Sequence, residues 1–391
     1  MSKKKISVFT VVLTALISFT CGFLVNSYAG LGVVGGVFNL KQLSILTTVG
    51  KIVSSYSIDE QNGDTVLDYA LKGVAASLND PYAAYLTAEE VEEFNRSTQG
   101  IVQGGIGCTL FQYDGKNYIS QVYKNFGAEK AGIKAGDIII AADGQNVENK
   151  SVSEISELIL GEPETTVKID VLRGDKKLSF VVERSDGQRQ MTEYQLLEGN
   201  LLYVKIHAFR GNAAEYFEEA INFAKEKSVK GLIIDLRDNP GGEVNCFAQM
   251  ADILLPEGEF FYGLTRNGEK VNPCTSDAEF FDVDVSVIVN GNSASASEAM
   301  AGALRDMIDA EIVGTKTYGK GVMQRSYSLT NGGMFRLTVA KYYLPSGECI
   351  EGAGIEPEHK VELQDNLEIE TWRLNSENDL QLKKAIEVLT K

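Results

Sequence analysis

The stretch that most constrains the fold of this chain is residues 287–324, where an apolar run turns through small residues into a helix. The β-branched run Val287-Ile288-Val289 breaks at Asn290-Gly291-Asn292. Ser293-Ala294-Ser295-Ala296-Ser297 then leads into a helical pattern over residues 298–307. Together with a similar strand, turn and helix over residues 231–254, this pattern predicts an α/β domain with helices packed on a sheet.

A serine at such a turn lies at a helix N-terminus, where free N–H groups favour developing negative charge. A nucleophilic serine also needs an adjacent base. The chain has only two histidines, His207 and His359, so a Ser-His-Asp triad would have to use one of them. Lysine is an alternative base if burial lowers its pKa. Lys320, between two glycines, is the candidate.

Each of these features also has a purely structural interpretation. Ser295-Ala296-Ser297-Glu298 fits the S-x-x-E capping box, which is more typical of a helix cap than of a nucleophile. A lysine flanked by glycines is usually a turn residue in water. Taken singly, neither feature establishes a catalytic site.

In combination, however, Ser-Ala-Ser-Ala-Ser-Glu and Tyr-Gly-Lys-Gly-x-x-Gln resemble the carboxy-terminal processing peptidases, also called tail-specific proteases. The resemblance implies that Ser295 is the nucleophile and that Lys320 is the general base. It also implies that Gln324 orients the lysine, although a surface strand position is the alternative for this glutamine.

The run D-L-R-x-N-P-G-G at residues 235–242 carries the same resemblance. It implies that an N–H group of Gly241 or Gly242 joins that of Ala296 in an oxyanion hole. A helix-initiating turn with positive φ would need the same glycines. Asp235 and Arg237 are interpreted as an ion pair at the strand end that shapes this turn.

Residues 99–185 resemble a PDZ domain, with strands, a hairpin signal at Asp143-Gly144 and an amphipathic helix over residues 152–160. In such domains a glycine loop holds the C-terminal carboxylate of a peptide, which adds as a strand to the sheet edge. The loop here would be Gly105-Ile106-Gly107-Cys108, and Ile106 and Cys108 imply ligands with apolar tails. A bulge or tight turn is the alternative for Gly105 and Gly107.

The N-terminus predicts export. Lys3-Lys4-Lys5 precede an uncharged run over residues 6–25, followed by Ser27-x-Ala29 as a plausible cleavage site. Residues 1–29 are therefore expected to be a signal peptide or a retained signal-anchor, with the rest of the chain extracytoplasmic. The net charge of −17 argues against nucleic-acid binding.

The fold class we expect is multidomain α/β. A helical region over residues 30–98, capped at Asp64 in its second helix, precedes the PDZ domain. An α/β peptidase domain of the tail-specific protease type covers residues 186–364, with residues 40–98 packing on it. A helical segment over residues 365–391 ends the chain. No cofactor and no metal are expected, because no His/Cys/Asp cluster has ligand spacing.

The sequence thus predicts an exported serine endopeptidase with a Ser-Lys dyad and a PDZ domain that selects protein substrates by apolar C-terminal tails. Resemblance also implies a possible homodimer. The rival is a catalytically silent, PDZ-containing peptide-binding scaffold of the same fold. A third alternative is a hydrolase that uses His207 or His359, which we interpret instead as strand-end and surface-loop residues.

Overall fold

The computed structural model describes residues 38–363 and 377–390, so the predicted segment 1–29 lies outside the described residues. Within those two ranges no helix is both long enough and apolar enough to span a bilayer. The chain divides into two units after Val74, and each is described by itself.

The first unit contains α1 (Leu40–Tyr56) and most of α2 (Gly63–Ala76). The cap of α2 differs from the prediction: the side-chain oxygen of Asn62 accepts hydrogen bonds from the N–H groups of Asp64 and Thr65. Asp64 lies in the first turn of the helix, where its carboxylate faces the positive end of the helix dipole.

The second unit begins with β1 (Ala84–Leu86) and α3 (Ala88–Thr98). Helix α3 begins with a capping box, in which Thr87 and Glu90 exchange hydrogen bonds. Strand β1 was not predicted, because three residues carry no periodicity and their strand geometry depends on a distant partner. That partner is the long strand at residues 334–343.

The PDZ domain is an antiparallel sheet with two helices. Its elements are β2 (Ile101–Gly105), β3 (Cys108–Tyr113), β4 (Lys116–Val122), α4 (Gly127–Ala131), β5 (Ile138–Ala142), β6 (Gln145–Asn146), α5 (Val152–Ile159), β7 (Thr166–Arg173), β8 (Lys176–Glu183) and β9 (Ser185–Gln188). The strand order β3-β4-β5-β7-β8 leaves β3 at an edge. The chain crosses between domains through the β2–β9 pair.

The catalytic domain follows the alternation that the sequence predicts. Its elements are β10 (Thr192–Leu197), β11 (Leu201–Ile206), α6 (Ala213–Lys227), β12 (Gly231–Asp235), α7 (Val244–Asp252), β13 (Gly258–Thr265), β14 (Lys270–Ser276), β15 (Asp284–Val289), α8 (Ala296–Ile308), β16 (Glu311–Gly314), β17 (Val322–Ser328), β18 (Met334–Tyr343), β19 (His359–Lys360) and α9 (Leu380–Leu389).

The main sheet has the order β10-β11-β12-β15-β16-β19, and all pairs except β10–β11 are parallel. Parallel strands need helices on both faces. One face packs on α6, α7 and α8, with Phe217 and Phe247 fully buried. The other face packs on α9 through Ala385. The multidomain α/β fold that we expected is therefore confirmed.

A second sheet, of order β1-β18-β13-β14 with β17 paired to β18, packs beside the first. Of these strands the sequence predicts only β18. The bulged β13 and β14 alternate poorly between apolar and polar residues, and β17 is exposed beyond Gln324. These strands are therefore defined by pairing more than by pattern.

Candidate functional site

The candidate site lies where the parallel strands end. The turn at residues 238–242 follows β12, the turn at residues 290–295 follows β15, and the loop at residues 315–321 follows β16. Neighbouring parallel strands have their carboxyl ends at one edge of the sheet, which is where α/β domains bind ligands. The topology thus brings the serine run, the double glycine and the lysine loop together.

Of the three serines in the run, Ser295 is the one in a position to react. Ser293 and Ser297 are fully buried, and their hydroxyls donate to the carbonyls of Leu236 and Asn239. Ser295 is half-buried, lines a cavity and has φ 58° and ψ −117°. A serine in this sparsely populated conformation is strained, and such strain clusters at functional sites.

The carboxylate of Glu298 joins the serine turn to the lysine loop. One oxygen accepts the N–H groups of Ser295 at 2.8 Å and Lys320 at 3.0 Å. The other accepts the Thr317 hydroxyl at 2.6 Å and the Gly319 N–H at 2.7 Å. Glu298 is fully buried, so these four donors replace the water that its charge would otherwise require.

Lys320 is half-buried, and its ammonium nitrogen lies 4.4 Å from the centroid of the Tyr82 ring. Burial lowers the pKa of Lys320, and the nearby charge of Arg336 lowers it further. Glu351, Glu298 and Asp80 oppose this shift. No hydrogen bond joins the Lys320 ammonium to the Ser295 hydroxyl in the described part of the chain.

Gln324 lines the same cavity as Ser295, and no hydrogen bond joins it to Lys320 among the residues that the structure describes. Its amide nitrogen is 3.3 Å from the Thr338 hydroxyl and 3.5 Å from the Val322 carbonyl oxygen. Thr338 in turn donates its N–H and its hydroxyl to Asp80. The turn that carries Asp80 and Tyr82 is thereby held against β18 beside the lysine.

The two glycines of the predicted oxyanion hole differ in what their N–H groups do. The Gly241 N–H donates to the side chain of Asn239 at 2.9 Å. Gly242 forms a β-bridge with Phe209. The hydrogen bonds of this bridge involve the neighbours of Gly242: the Gly241 carbonyl accepts the Phe209 N–H, and the Glu243 N–H donates to the Phe209 carbonyl. The Gly242 N–H takes no part in them. The cavity is lined by Gly242 and Ala296, together with Ser295.

Close packing explains why both positions are glycine. A Cβ on Gly241 would lie 2.8 Å from both the Ser295 Cβ and the Ala296 nitrogen, and one on Gly242 would lie 2.2 Å from the Phe209 carbonyl oxygen. Both residues also have positive φ, 94° and 156°. The buried Asn239 fixes the turn, since its carbonyl accepts the Ala294 N–H and its amide donates to Ile206.

The cavity beside Ser295 has a volume of about 530 Å³. Both apolar and polar side chains line it. The residues that line it are Phe94, Gly242, Glu243, Val244, Asn245, Phe247, Phe261, Asn272, Ser295, Ala296, Val322, Met323, Gln324, Ser326, Arg336 and Tyr342. The Tyr342 hydroxyl donates to the Ser295 carbonyl oxygen at 3.0 Å.

The ion pair predicted between Asp235 and Arg237 is part of a larger buried network. The Arg237 guanidinium also forms two hydrogen bonds with Asp379, at 3.0 and 2.9 Å, at the start of α9. Burial raises the pKa of Asp235, but Arg237 and Lys205 outweigh it and hold that pKa far below its usual range. The network connects the C-terminal helix to the strand that carries the glycine turn.

In the PDZ domain the predicted glycine loop lies between β2 and β3. The Ile106 side chain is 2% exposed and belongs to the domain's core, while Cys108 packs against that core. Burial raises the pKa of the Cys108 thiol to about 12. The Ile106 and Gly107 carbonyls accept N–H groups of their own domain, those of Ala128 and Tyr123.

Among the described residues, no hydrogen bond joins either histidine to Ser295. His207 follows β11, as predicted, where its ring contacts the Gln121 amide of the PDZ domain and pairs with Glu193. His359 lies on β19, where the sequence analysis placed a surface loop, and pairs with Glu311. The loop assignment was wrong because β19 is two residues long and forms only against β16.

Four residues at the site were not assigned a role from sequence: Tyr82, Thr317, Thr338 and Glu298. Glu298 was visible only as the last residue of a capping box, and Tyr82 only as part of a turn. Their roles depend on contacts between segments that lie far apart in the chain.

Two protein-family models match parts of this chain. The model of Peptidase family S41 matches residues 200–361, and a PDZ domain model matches residues 118–173.

Residues 200–361 form a peptidase domain of family S41.

Among relatives of this chain, a CtpA-like serine protease of Staphylococcus aureus (strain MRSA252) is 29% identical over 90% of this chain and 71% of that protein. One from Staphylococcus haemolyticus (strain JCSC1435) is 33% identical over 77% of this chain and 61% of its own length. The chain is therefore similar to these serine proteases over most of its length.

Among solved structures, a photosystem II D1 C-terminal processing protease superposes with a TM-score of 0.52 at 26% identity. That alignment covers 82% of this chain and 87% of the solved chain. An S41 protease from Bacteroides fragilis superposes with a TM-score of 0.55 at 16% identity and covers 86% and 92% of the two chains. The second likeness concerns the fold alone.

Proposed function

We propose that this protein is an exported serine endopeptidase in which Ser295 and Lys320 form a catalytic dyad. The observation that carries the proposal is the bridge formed by Glu298. A single buried carboxylate accepts the backbone N–H groups of both residues and so fixes the two segments relative to each other. A scaffold without catalytic function has no evident need for this constraint.

In the proposed reaction, neutral Lys320 accepts the proton of the Ser295 hydroxyl while the serine oxygen attacks the peptide carbonyl carbon. The N–H groups of Gly242 and Ala296 stabilise the oxyanion, and each donor supplies about a hundredfold or more in rate. The lysine ammonium then protonates the leaving amine as the C–N bond breaks. Water deprotonated by Lys320 hydrolyses the acyl-enzyme.

The side chains of Lys320 and Gln324 would have to exchange their present contacts for new ones to reach this state. The Lys320 ammonium lies over the Tyr82 ring, and the Gln324 amide donates a hydrogen bond to the Thr338 hydroxyl. Catalytic hydrogen bonds are often unformed without substrate and tighten in the complex. We propose that Gln324 turns its amide to the lysine when substrate occupies the cavity.

We also propose that the PDZ domain selects substrates by apolar C-terminal tails. Strand β3 pairs only with β4 among the described strands, so its outer edge can accept a peptide as an added strand. Gly105 and Gly107 precede that edge, and α5 packs near it. The loop N–H groups would hold the terminal carboxylate of the peptide.

Export and self-association are further parts of the proposal. Three lysines before the uncharged run at residues 6–25 support export, either with cleavage near Ala29 or with a retained anchor. In the N-terminal unit, Leu46, Val49 and Ile52 of α1 are each about half exposed. Apolar exposure of this extent supports association through α1 with a second copy or with lipid.

The test is cleavage of an unstructured protein with an apolar tail by wild type, Ser295→Ala and Lys320→Ala. Lys316→Ala is the matched control, because Lys316 is an exposed lysine four residues away that pairs with Glu356. We expect only the wild type and the control to cleave. Cleavage by Ser295→Ala would identify another nucleophile, and loss after replacing His207 and His359 by glutamine would favour a histidine base.

A further inference from the structure

Arg336 is an unpaired cation in the wall of the catalytic cavity. It lies on β18 and lines the cavity together with Ser295 and Gln324. Its Nε atom is buried without a hydrogen bond, and its guanidinium forms no ion pair with any residue that the structure describes. Buried donors in native proteins nearly always have partners, so an unpaired one requires an explanation.

The sheet register places this guanidinium beside the catalytic residues. Ser326 on β17 lies opposite Arg336 on β18, and Gln324 lies opposite Thr338. Residues two apart on a strand share a face, so these four side chains form one polar strip. The Phe94 ring, 5.5 Å from the guanidinium carbon, supports the strip from α3.

The charges in and around the cavity favour an anionic ligand at Arg336. Glu243 is the only acidic residue among those that line the cavity, and no ion pair joins it to Arg336 within the described residues. A carboxylate between Arg336 and the Ser326 hydroxyl would satisfy the free donors of the guanidinium.

We propose that Arg336 determines specificity by binding a substrate carboxylate near the scissile bond, with the Ser326 hydroxyl as a second donor. This inference rests on the proposed function of the same cavity. Arg336 and Ser295 line the same cavity, so the carboxylate belongs to a residue near the scissile bond, as an acidic side chain or a nearby chain terminus.

The test uses internally quenched peptides of one sequence with the same apolar tail. In one set, each position within three residues of the cleaved bond carries Glu or Gln in turn. In a second set, an uncharged peptide ends two residues after that bond as the free acid or the amide. These two sets distinguish a side-chain carboxylate from a terminal one.

We expect the wild type to prefer the carboxylate member of one pair by about ten- to a hundredfold in kcat/KM. Arg336→Gln should reduce that ratio to about one, and Arg336→Glu should favour a lysine peptide instead. The control is Arg325→Gln, an exposed arginine on the opposite face of β17 that should keep the wild-type ratio.

A wild-type enzyme that cleaves both members of every pair equally overturns the inference, as does a preference that persists in Arg336→Gln. Either result leaves the proposed function intact. If the wild type cleaves no peptide, fluorescence anisotropy measures how tightly Ser295→Ala binds the two members of each peptide pair. Tighter binding of the carboxylate peptide, lost in Ser295→Ala/Arg336→Gln, supports the role of Arg336, whereas equal binding by the two variants rejects it.

Discussion

The Lys320 ammonium nitrogen lies over the face of the Tyr82 ring, 4.4 Å from its centroid. An aromatic face stabilises a cation by about 0.5–1 kcal/mol at partly exposed sites. Here the cation is Lys320, the proposed base. The ring stabilises its protonated form, which cannot accept a proton. Tyr82 belongs to a turn more than two hundred residues away in sequence.

The first prediction concerns the pH profile. Lys320 must be neutral to act as a base, so activity should rise with pH through the lowered pKa of Lys320. The substitution Tyr82→Leu removes the ring and lowers this pKa further. The acid limb of the pH profile of kcat/KM should therefore shift to lower pH by about half a unit. Tyr82→Phe keeps the ring and should retain the wild-type limb. An unmoved limb in Tyr82→Leu would contradict the role of the ring.

The second prediction concerns Glu298. Glutamine has one acceptor oxygen, and its NH₂ would face two of the four groups that donate to the carboxylate. Glu298→Gln should reduce kcat/KM by about a hundredfold or more and stability by about 2 kcal/mol, measured by peptide cleavage and by urea denaturation.

The matched control for Glu298 is Glu154→Gln. Glu154 is exposed and holds the same capping-box position at the start of the PDZ helix α5. That variant should keep full activity. If both variants lose activity equally, the effect of Glu298 is general destabilisation and not alignment of the serine and lysine segments.

The third prediction concerns the glycine turn. Gly242→Ala places a methyl group against the Phe209 carbonyl and should displace the Gly242 N–H. Loss of one oxyanion donor lowers kcat by about 100- to 1000-fold. Gly268→Ala is the control, since Gly268 also has positive φ but has open space around its Cα. Near wild-type activity in Gly242→Ala would assign the oxyanion hole to other groups.

The fourth prediction concerns the C-terminal helix. Asp379→Ala leaves Arg237 without one of its two buried carboxylates, and breaking such a pair destabilises by about 3 kcal/mol. Thermal unfolding should show this loss. Lys384→Ala breaks only the solvent-exposed pair with Glu387 on the same helix and should change stability by less than about 1 kcal/mol. If Asp379→Ala and the wild type unfold at the same temperature, the buried network contributes nothing to stability.

Local sequence signals were enough to predict most elements of the main sheet and the residue types at the site. The turn before α8, the double glycine and the lysine loop each carry signals within a few residues, because caps, positive-φ glycines and buried runs are local properties. Their meeting at one sheet edge depends on the parallel order of β12, β15 and β16, which the structure supplies.

Only the tertiary structure decided which groups surround the reacting residues. The contact of Tyr82 with Lys320, the bridge from Glu298 and the pairing of Arg237 with Asp379 join segments that no periodicity connects. The strands β1 and β17 likewise depend on β18 for their hydrogen bonds. Such long-range contacts depend on how helices and sheets pack, and burial then sets the strength of each charge interaction.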